Sequence, residues 1–305
     1  MSKIVVIGSS NTDMVVKTNK FPVPGETILG GEFFMFSGGK GANQAVAAAR
    51  AGGDTMLICK TGDDIFGERA IAEFQKEGIN ITRISSDANK ASGVALIIVD
   101  GNGENEIVVA PGANDTLTEV NIRDAQIEIL SAEIILMQLE IPVETVLFTA
   151  QLAAQHNKKV ILNPAPARQL PVDLFKSLFL LTPNETEAEI LTGVKVIDFA
   201  SASRAADKLL SFGVQNVIIT MGSAGAFFKN KDNEMMIPAP VVKAVDTTAA
   251  GDVFNGVLTT ELTRGADWTN AISAACKAAS ISVTRMGAQA SMPYRNELIS
   301  PDETR

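Results

Sequence analysis

The chain has 305 residues, 46% hydrophobic and 20% charged, as expected of a folded protein with a sizeable core rather than a disordered chain. Its formal net charge of −9, with no basic stretch to offset it, argues against a nucleic-acid partner. A small anionic nucleotide stays possible, because local N–H groups and a few cations can hold one.

Strand-like, β-branched runs occupy 3–8, 55–59, 134–139, 159–162, 178–181 and 216–221, and amphipathic helical stretches occupy 43–50, 64–77, 143–155 and 201–212. This alternation predicts βαβ units and a three-layer α/β/α arrangement, a mostly parallel sheet with helices on both faces; the length allows one large domain over 1–305 or two ordinary ones. Ligands of such sheets bind outside the carboxyl ends of the strands. The first strand follows Met1-Ser2 with no signal peptide, and no apolar run reaches the ~18 residues of a membrane span. The expectation is a soluble, cytoplasmic protein without a membrane partner.

Two regions break the rhythm. Residues 14–36 carry Pro22, Pro24 and Gly25 between two extended arms, and 93–110 reads as a hairpin around Asp100-Gly101-Asn102-Gly103. Both can pair as a small β-sheet standing off the main domain, a lid or a homodimer contact. Phe33, Phe34, Met35 and Phe36 suit such an interface as well as they suit a core.

Polar residues cluster where strands end. Asn11 and Asp13 follow the first strand and can bind vicinal hydroxyls or form a turn. Ser37-Gly38-Gly39-Lys40-Gly41-Ala42-Asn43 enters a helix, but it is no Walker loop, since Phe34 and Gly41 stand where Gly and Ser or Thr are needed. Glu140 ends the 134–139 run. The lone histidine, His156, reads as a helix-end residue, and with only Cys59 and Cys276 besides, Ser–His catalysis and a His/Cys zinc site are disfavoured. Asn184 and Glu187 share the first turn of a helix and could place hydrated Mg²⁺. Thr220, Gly222, Ser223 and Gly225 suit phosphate contact.

The run Asp246-Thr247-Thr248-Ala249-Ala250-Gly251-Asp252 is the most informative. Ala250, Val253, Phe254, Val257 and Leu258 mark one helical face, so the preceding small residues form a helix start with free N–H groups, an anion site. Asp252 beside it is placed to serve as a base in phosphoryl transfer. Asp246 and Thr247, taken alone, read more simply as helix caps.

Taken in order, these motifs resemble the ribokinase/phosphofructokinase-B sugar-kinase family, in particular its ribokinases. The resemblance runs through Asn11-Thr12-Asp13, Pro24-Gly25-Glu26-Thr27, Gly38 to Asn43, Pro111-Gly112-Ala113-Asn114, Gln138-Leu139-Glu140, Asn163-Pro164-Ala165, Pro183-Asn184-Glu185-Thr186-Glu187, the Asp246–Asp252 run and Thr284-Arg285-Met286-Gly287 with Ser291. It implies transfer of the ATP γ-phosphate to the primary hydroxyl of D-ribose, with Asp252 as base and the N–H groups of Ala249, Ala250 and Gly251 as anion hole. It implies a sugar site of Asn11, Asp13, Gly39, Lys40, Gly41, Ala42, Asn43 and Glu140. ATP would meet Asn184, Thr220, Gly222, Ser223, Gly225, Gly251, Asp252 and Cys276, the last standing where relatives often carry His or Asn. Glu187 would place Mg²⁺ through water. A K⁺ site would fall on Asp246, Thr248, Ser282, Arg285, Gly287 and Ser291. The alternatives weighed are a kinase of 2-deoxyribose or another sugar, and a non-catalytic sensor on the same fold.

Overall fold

Eight strands form the central sheet, in the spatial order Glu234–Ile237, Ala226–Asn230, Asn216–Thr220, Leu180–Leu181, Lys159–Leu162, Ile134–Met137, Ile4–Ile7, Thr55–Ile58. The computed structural model describes residues 2–298. From Asn216–Thr220 to Thr55–Ile58 every pairing is parallel; the two strands at the far edge are antiparallel. The inner strands are apolar throughout because helices cover both faces. Val5 and Ile7 face one core with the helices Val143–Gln155 and Phe199–Ser211, while Ile4 and Val6 face a second with Lys40–Arg50, Ala250–Thr263 and Trp268–Ser282. Three layers result, as the alternation predicts.

The strand expected at 178–181 shortens to Leu180–Leu181, and the antiparallel edge pair was not foreseen. The helix expected from 43 begins at Lys40. His156 is the exposed C-cap of Val143–Gln155.

The off-domain sheet exists, in the order Glu32–Gly38, Asn11–Lys17, Gly93–Val99, Asn105–Ala110. It begins earlier than the expected arm at 14, so Asn11 and Asp13 lie on a lid strand rather than in a turn after the first strand. Asn11 pairs with Gly38 on one side and Gly93 on the other. Phe33 is exposed and Phe34, Met35 and Phe36 are half-buried, so this group is not core. Leu96, Ile107, Val108 and Val109 are exposed on the same sheet.

Two close approaches locate the site. At Gly256 a Cβ would lie 2.6 Å from the Ala47 Cβ and 2.7 Å from the Gln44 carbonyl oxygen, so only glycine lets the helices Lys40–Arg50 and Ala250–Thr263 meet there. Burying Val253, Phe254, Val257 and Leu258 contributes about 1.5–3 kcal/mol for each large apolar side chain. The contact sets Asn43 and Gln44 opposite Asp252.

Candidate active site

The site forms where the parallel strands end. Past Ile4–Ile7, the Ser9 hydroxyl donates to Glu140 Oε2 at 2.5 Å, and the Lys40 N–H donates to the same oxygen at 3.0 Å. Gly39 precedes this helix with φ 87° and has no side chain to cap it, so Glu140 supplies the anion that the exposed helix N–H groups favour. A Cβ on Gly39 would lie 2.7 Å from the Asn11 nitrogen. Gly41 and Ala42 turn away from the crevice: their N–H groups go to Ser9 Oγ and to the Ser9 carbonyl, and a Gly41 Cβ would stand 2.5 Å from the Ser9 nitrogen. Both N–H groups are therefore taken up within the protein, where the helix start packs against the chain just past Ile4–Ile7.

Asn114 holds Asn11 in place. Its Nδ2 donates to Asn11 Oδ1 at 2.7 Å and to the Ser10 carbonyl at 3.1 Å, while its Oδ1 accepts from the Ser10 N–H at 2.9 Å. Asn11 keeps its own amide N–H groups for another partner. Asp13 lies against Gly38, where a Cβ would collide with its carboxylate. Burial, then the charges of Glu140 and Asp252, push the Asp13 carboxyl up to about 6, with Lys40 opposing. Burial disfavours the Lys40 cation, but Asp252, Glu140, Glu187 and Asp13 around it outweigh that, so its pKa is raised. One cation among four carboxylates makes a polar pocket whose groups can bond hydroxyls.

Asp252 is 5% exposed in the first turn of Ala250–Thr263. Its Oδ2 accepts from Asn43 Nδ2 at 3.0 Å and its Oδ1 from Gln44 Nε2 at 2.9 Å. Burial raises its pKa, while Lys40 and the two amides hold the rise back. Ala249 caps this helix in the left-handed conformation, φ 60° and ψ 11°, a strained choice for a residue with a Cβ and one that tends to occur at functional sites. Gly251 opens to free space; as a first-turn residue it has no intrahelical acceptor for its N–H. The Ala250 N–H makes a long bond to the Thr247 carbonyl, 3.3 Å. Asn255 donates to the Gly251 carbonyl at 2.8 Å and accepts from the Thr182 hydroxyl at 2.6 Å, fixing the turn.

From Lys40 and Asp252 a cavity of 520 Å³ extends along the sheet end. Asn184, Glu187, Thr220, Gly222, Ser223, Gly225, Ala249, Ala250 and Gly251 line it. Its far end is apolar, with Val241, Val242, Cys276, Ala279 and Val283. Polar and charged groups therefore line part of the cavity and an apolar slot the rest, a combination that suits phosphates and a base. Burial pushes the Cys276 thiol up to about 11, so it faces the slot as a neutral group. Asn184 and Glu187 form a capping box: Glu187 N–H to Asn184 Oδ1 at 2.8 Å, Asn184 N–H to Glu187 Oε2 at 2.9 Å. The box uses Oε2 and leaves Oε1 on the cavity wall, which suits a metal-bound water. Among the described residues no group of three or more His, Cys, Asp or Glu could hold a metal directly.

Near the first turn of Ala250–Thr263 two loops meet. Asp246 Oδ1 accepts from the Thr248 N–H and hydroxyl at 2.9 and 2.6 Å, and Oδ2 accepts from the Gly287 N–H at 2.9 Å. Burial would raise its carboxyl, but these bonds outweigh it and hold it low. Ser291 is fully buried beside them, and the Arg285 guanidinium turns to Glu297. Asp246 is thus the carboxylate that ties the 246–248 loop to Gly287.

The roles of Gln44, Gln138, Asn163, Asn114 and Asn255 were missed in the sequence. The signal was there in part: amides stand inside apolar stretches, where burial demands partners.

Over residues 1–295 the sequence matches the pfkB family of carbohydrate kinases. The chain is 44% identical over 296 residues to the ribokinase of Haemophilus influenzae, covering 97% of each. It is 39% identical over 304 residues to the deoxyribokinase of Salmonella typhi, covering 98% of this chain and 99% of that one. Its fold superposes with a TM-score of 0.90 on the Arabidopsis thaliana ribokinase complexed with ribose and ATP, at 31% identity and 97% coverage of both. The chain belongs to the pfkB family of carbohydrate kinases, and ribokinases stand among its near relatives.

Proposed function

We propose that the enzyme phosphorylates D-ribose at its 5-hydroxyl, using ATP and releasing ADP. The observation that carries this reading is the buried Asp252 carboxylate, set at a helix N-terminus where the polar pocket of Asn11, Asp13, Gly39, Lys40, Asn43 and Glu140 meets the cavity. The sugar hydroxyl gives its proton to Asp252 and its oxygen attacks the γ-phosphorus. The bond to the ADP oxygen breaks, and ADP leaves with the electron pair. The N–H groups of Ala249, Ala250 and Gly251 face the charge that develops, donors fixed before the reaction begins. The adenine lies in the Cys276 slot, with Asn184, Thr220, Gly222, Ser223 and Gly225 along the phosphates.

Glu187 would hold Mg²⁺ through water, and the ion supplies charge neutralisation on the phosphates. Asp246, Thr248, Ser282, Arg285, Gly287 and Ser291, largely through carbonyls, would hold K⁺, which would steady the loop before Ala249. The exposed Leu96, Ile107, Val108 and Val109 favour a homodimer through the lid sheet. A kinase of 2-deoxyribose is the second reading, favoured by the Salmonella relative. Asn11 speaks for ribose, because its free N–H groups would lose a partner if the 2-hydroxyl were absent.

ADP release over ribose, deoxyribose and fructose, with K⁺ or Na⁺, tests the substrate. Ribose should give the highest kcat/KM, and a preference for deoxyribose would overturn the assignment. Asp252→Asn should lower kcat by on the order of 10²–10⁴, and near-normal turnover would remove Asp252 as the base.

A further inference from the structure

Asp252 sits at the end of a directed chain of buried amides. Gln44 is fully buried, Gln138 is 1% exposed and Asn163 6%. Gln138 Nε2 donates to Gln44 Oε1 at 2.6 Å, and Gln44 Nε2 donates to Asp252 Oδ1 at 2.9 Å and to Asn163 Oδ1 at 3.1 Å. Asn163 Nδ2 in turn donates to the Thr182 carbonyl at 3.1 Å. The order of donors and acceptors allows one arrangement. Turning the Gln44 amide over would set its oxygen against Asp252 Oδ1 and Asn163 Oδ1 and its nitrogen against Gln138 Nε2, three repulsions in place of three bonds.

The strand ends carry this polarity to the helix. Gln138 follows Ile134–Met137, Asn163 follows Lys159–Leu162, and Gln44 reaches them because Gly256 lets the two helices touch. The second Asp252 oxygen has a parallel support: Gln289 Nε2 donates to Asn43 Oδ1 at 3.2 Å, and Asn43 donates to Asp252 Oδ2. Asn43 also lines the sugar site. Gln44 is apart from it, buried behind the carboxylate.

We propose that Gln44, oriented by Gln138, is a positioning residue that aims the Asp252 carboxylate at the substrate hydroxyl and keeps it ionised. This rests on the reading of Asp252 as the base. An amide bonded to the charged form favours that form. The other groups acting on Asp252 are the cation of Lys40 and the charges of Glu140, Asp13 and Glu187. Burial opposes the charged form most and the carboxylates add to it, while Lys40 and then the Asn43 and Gln44 amides hold the rise back, so losing the Gln44 donor shifts the balance towards the neutral acid.

The test compares Gln44→Met, Gln138→Met and Asp252→Asn with the unaltered enzyme. Gln44→Met keeps the length of the side chain and removes the donor. Its kcat should fall about 10- to 100-fold, as for loss of a hydrogen bond to a charged group, with KM for ribose within about twofold of normal. The acid limb of its kcat–pH profile should move upward by about one pH unit. Gln138→Met, which touches neither Asp252 nor substrate, should show the same two changes in smaller measure. A packing defect alone would lower the unfolding temperature and leave the acid limb in place. An unmoved limb in both variants, in enzyme that binds ribose normally by calorimetry, overturns the proposal. If Asp252→Asn is itself active, the reading of the base fails instead, so the two failures are distinct.

Discussion

Asp13 offers a prediction in which stability and function move in opposite directions. Its carboxyl is pushed from 3.8 to about 6 by burial and by the charges of Glu140 and Asp252. Raising it that far costs the ionised folded protein about 3 kcal/mol, at 1.36 kcal/mol per pH unit. The folded pKa lies above the unfolded one, so between pH 3.8 and about 6 the folded chain keeps a proton that the unfolded chain has lost. Stability falls across that window as pH rises, and above it the whole penalty is present. Asp13→Asn removes the charge at nearly constant shape. Against the gain stand the lost attraction to Lys40 and the buried amide hydrogens, about 1–3 kcal/mol if unpaired. The variant should therefore be up to about 2 kcal/mol more stable than the unaltered chain at pH 8, with the advantage shrinking towards pH 5. Urea unfolding can be followed on Trp268, the only tryptophan, which stacks on Phe179 and Phe228. Ribose affinity should fall at the same time, since one of the two acceptor oxygens becomes an NH₂ donor and the charge is lost. A variant less stable at pH 8, or an advantage that does not change between pH 5.5 and pH 8, would refute the reasoning.

Other positions test separate parts of the site. Gly256→Ala sets a Cβ against backbone on the facing helix; it should cost about 1–3 kcal/mol in unfolding free energy and lower kcat, because Gln44 moves from Asp252. Asn184→Ala removes one half of the capping box, so it should cost about 1 kcal/mol and raise KM for Mg-ATP more than KM for ribose. Asp246→Asn should raise the K⁺ concentration for half-activation, measured by ADP release in a K⁺ titration. Val108→Glu on the lid should turn a dimer into a monomer in sedimentation; a dimer that persists would place the interface elsewhere.

Much of the fold was legible because local patterns and global structure agree. Apolar runs such as Ile4–Ile7 and Ile134–Met137 are buried on both faces, which is what a parallel sheet under two helical layers demands, and the pattern says so without a structure. The start of the helix at Ala250 was equally plain from its small lead-in and its apolar face. The lid is legible as two regions, an extended pair of arms at 14–36 and a hairpin at 93–110, but its register is not: strand pairing is a contact between distant residues, and it draws Asn11 and Asp13 onto this sheet. Asn184 and Glu187 illustrate a double use that sequence could not rank, since capping box and cavity wall draw on the same two side chains.

What the sequence by itself determined was the inventory: an α/β sandwich, a helix start with a carboxylate beside free N–H groups, and the polar residues at the strand ends. Tertiary structure alone decided which of them face the crevice. Gly41 packs where it does because Gly8 and Ser9, just past the Ile4–Ile7 strand, pass close to it. Gln44 went to Asp252, 208 residues away in sequence, because a glycine on the facing helix leaves room for contact. Such choices depend on how close two backbones approach, and no local pattern in the chain encodes that distance.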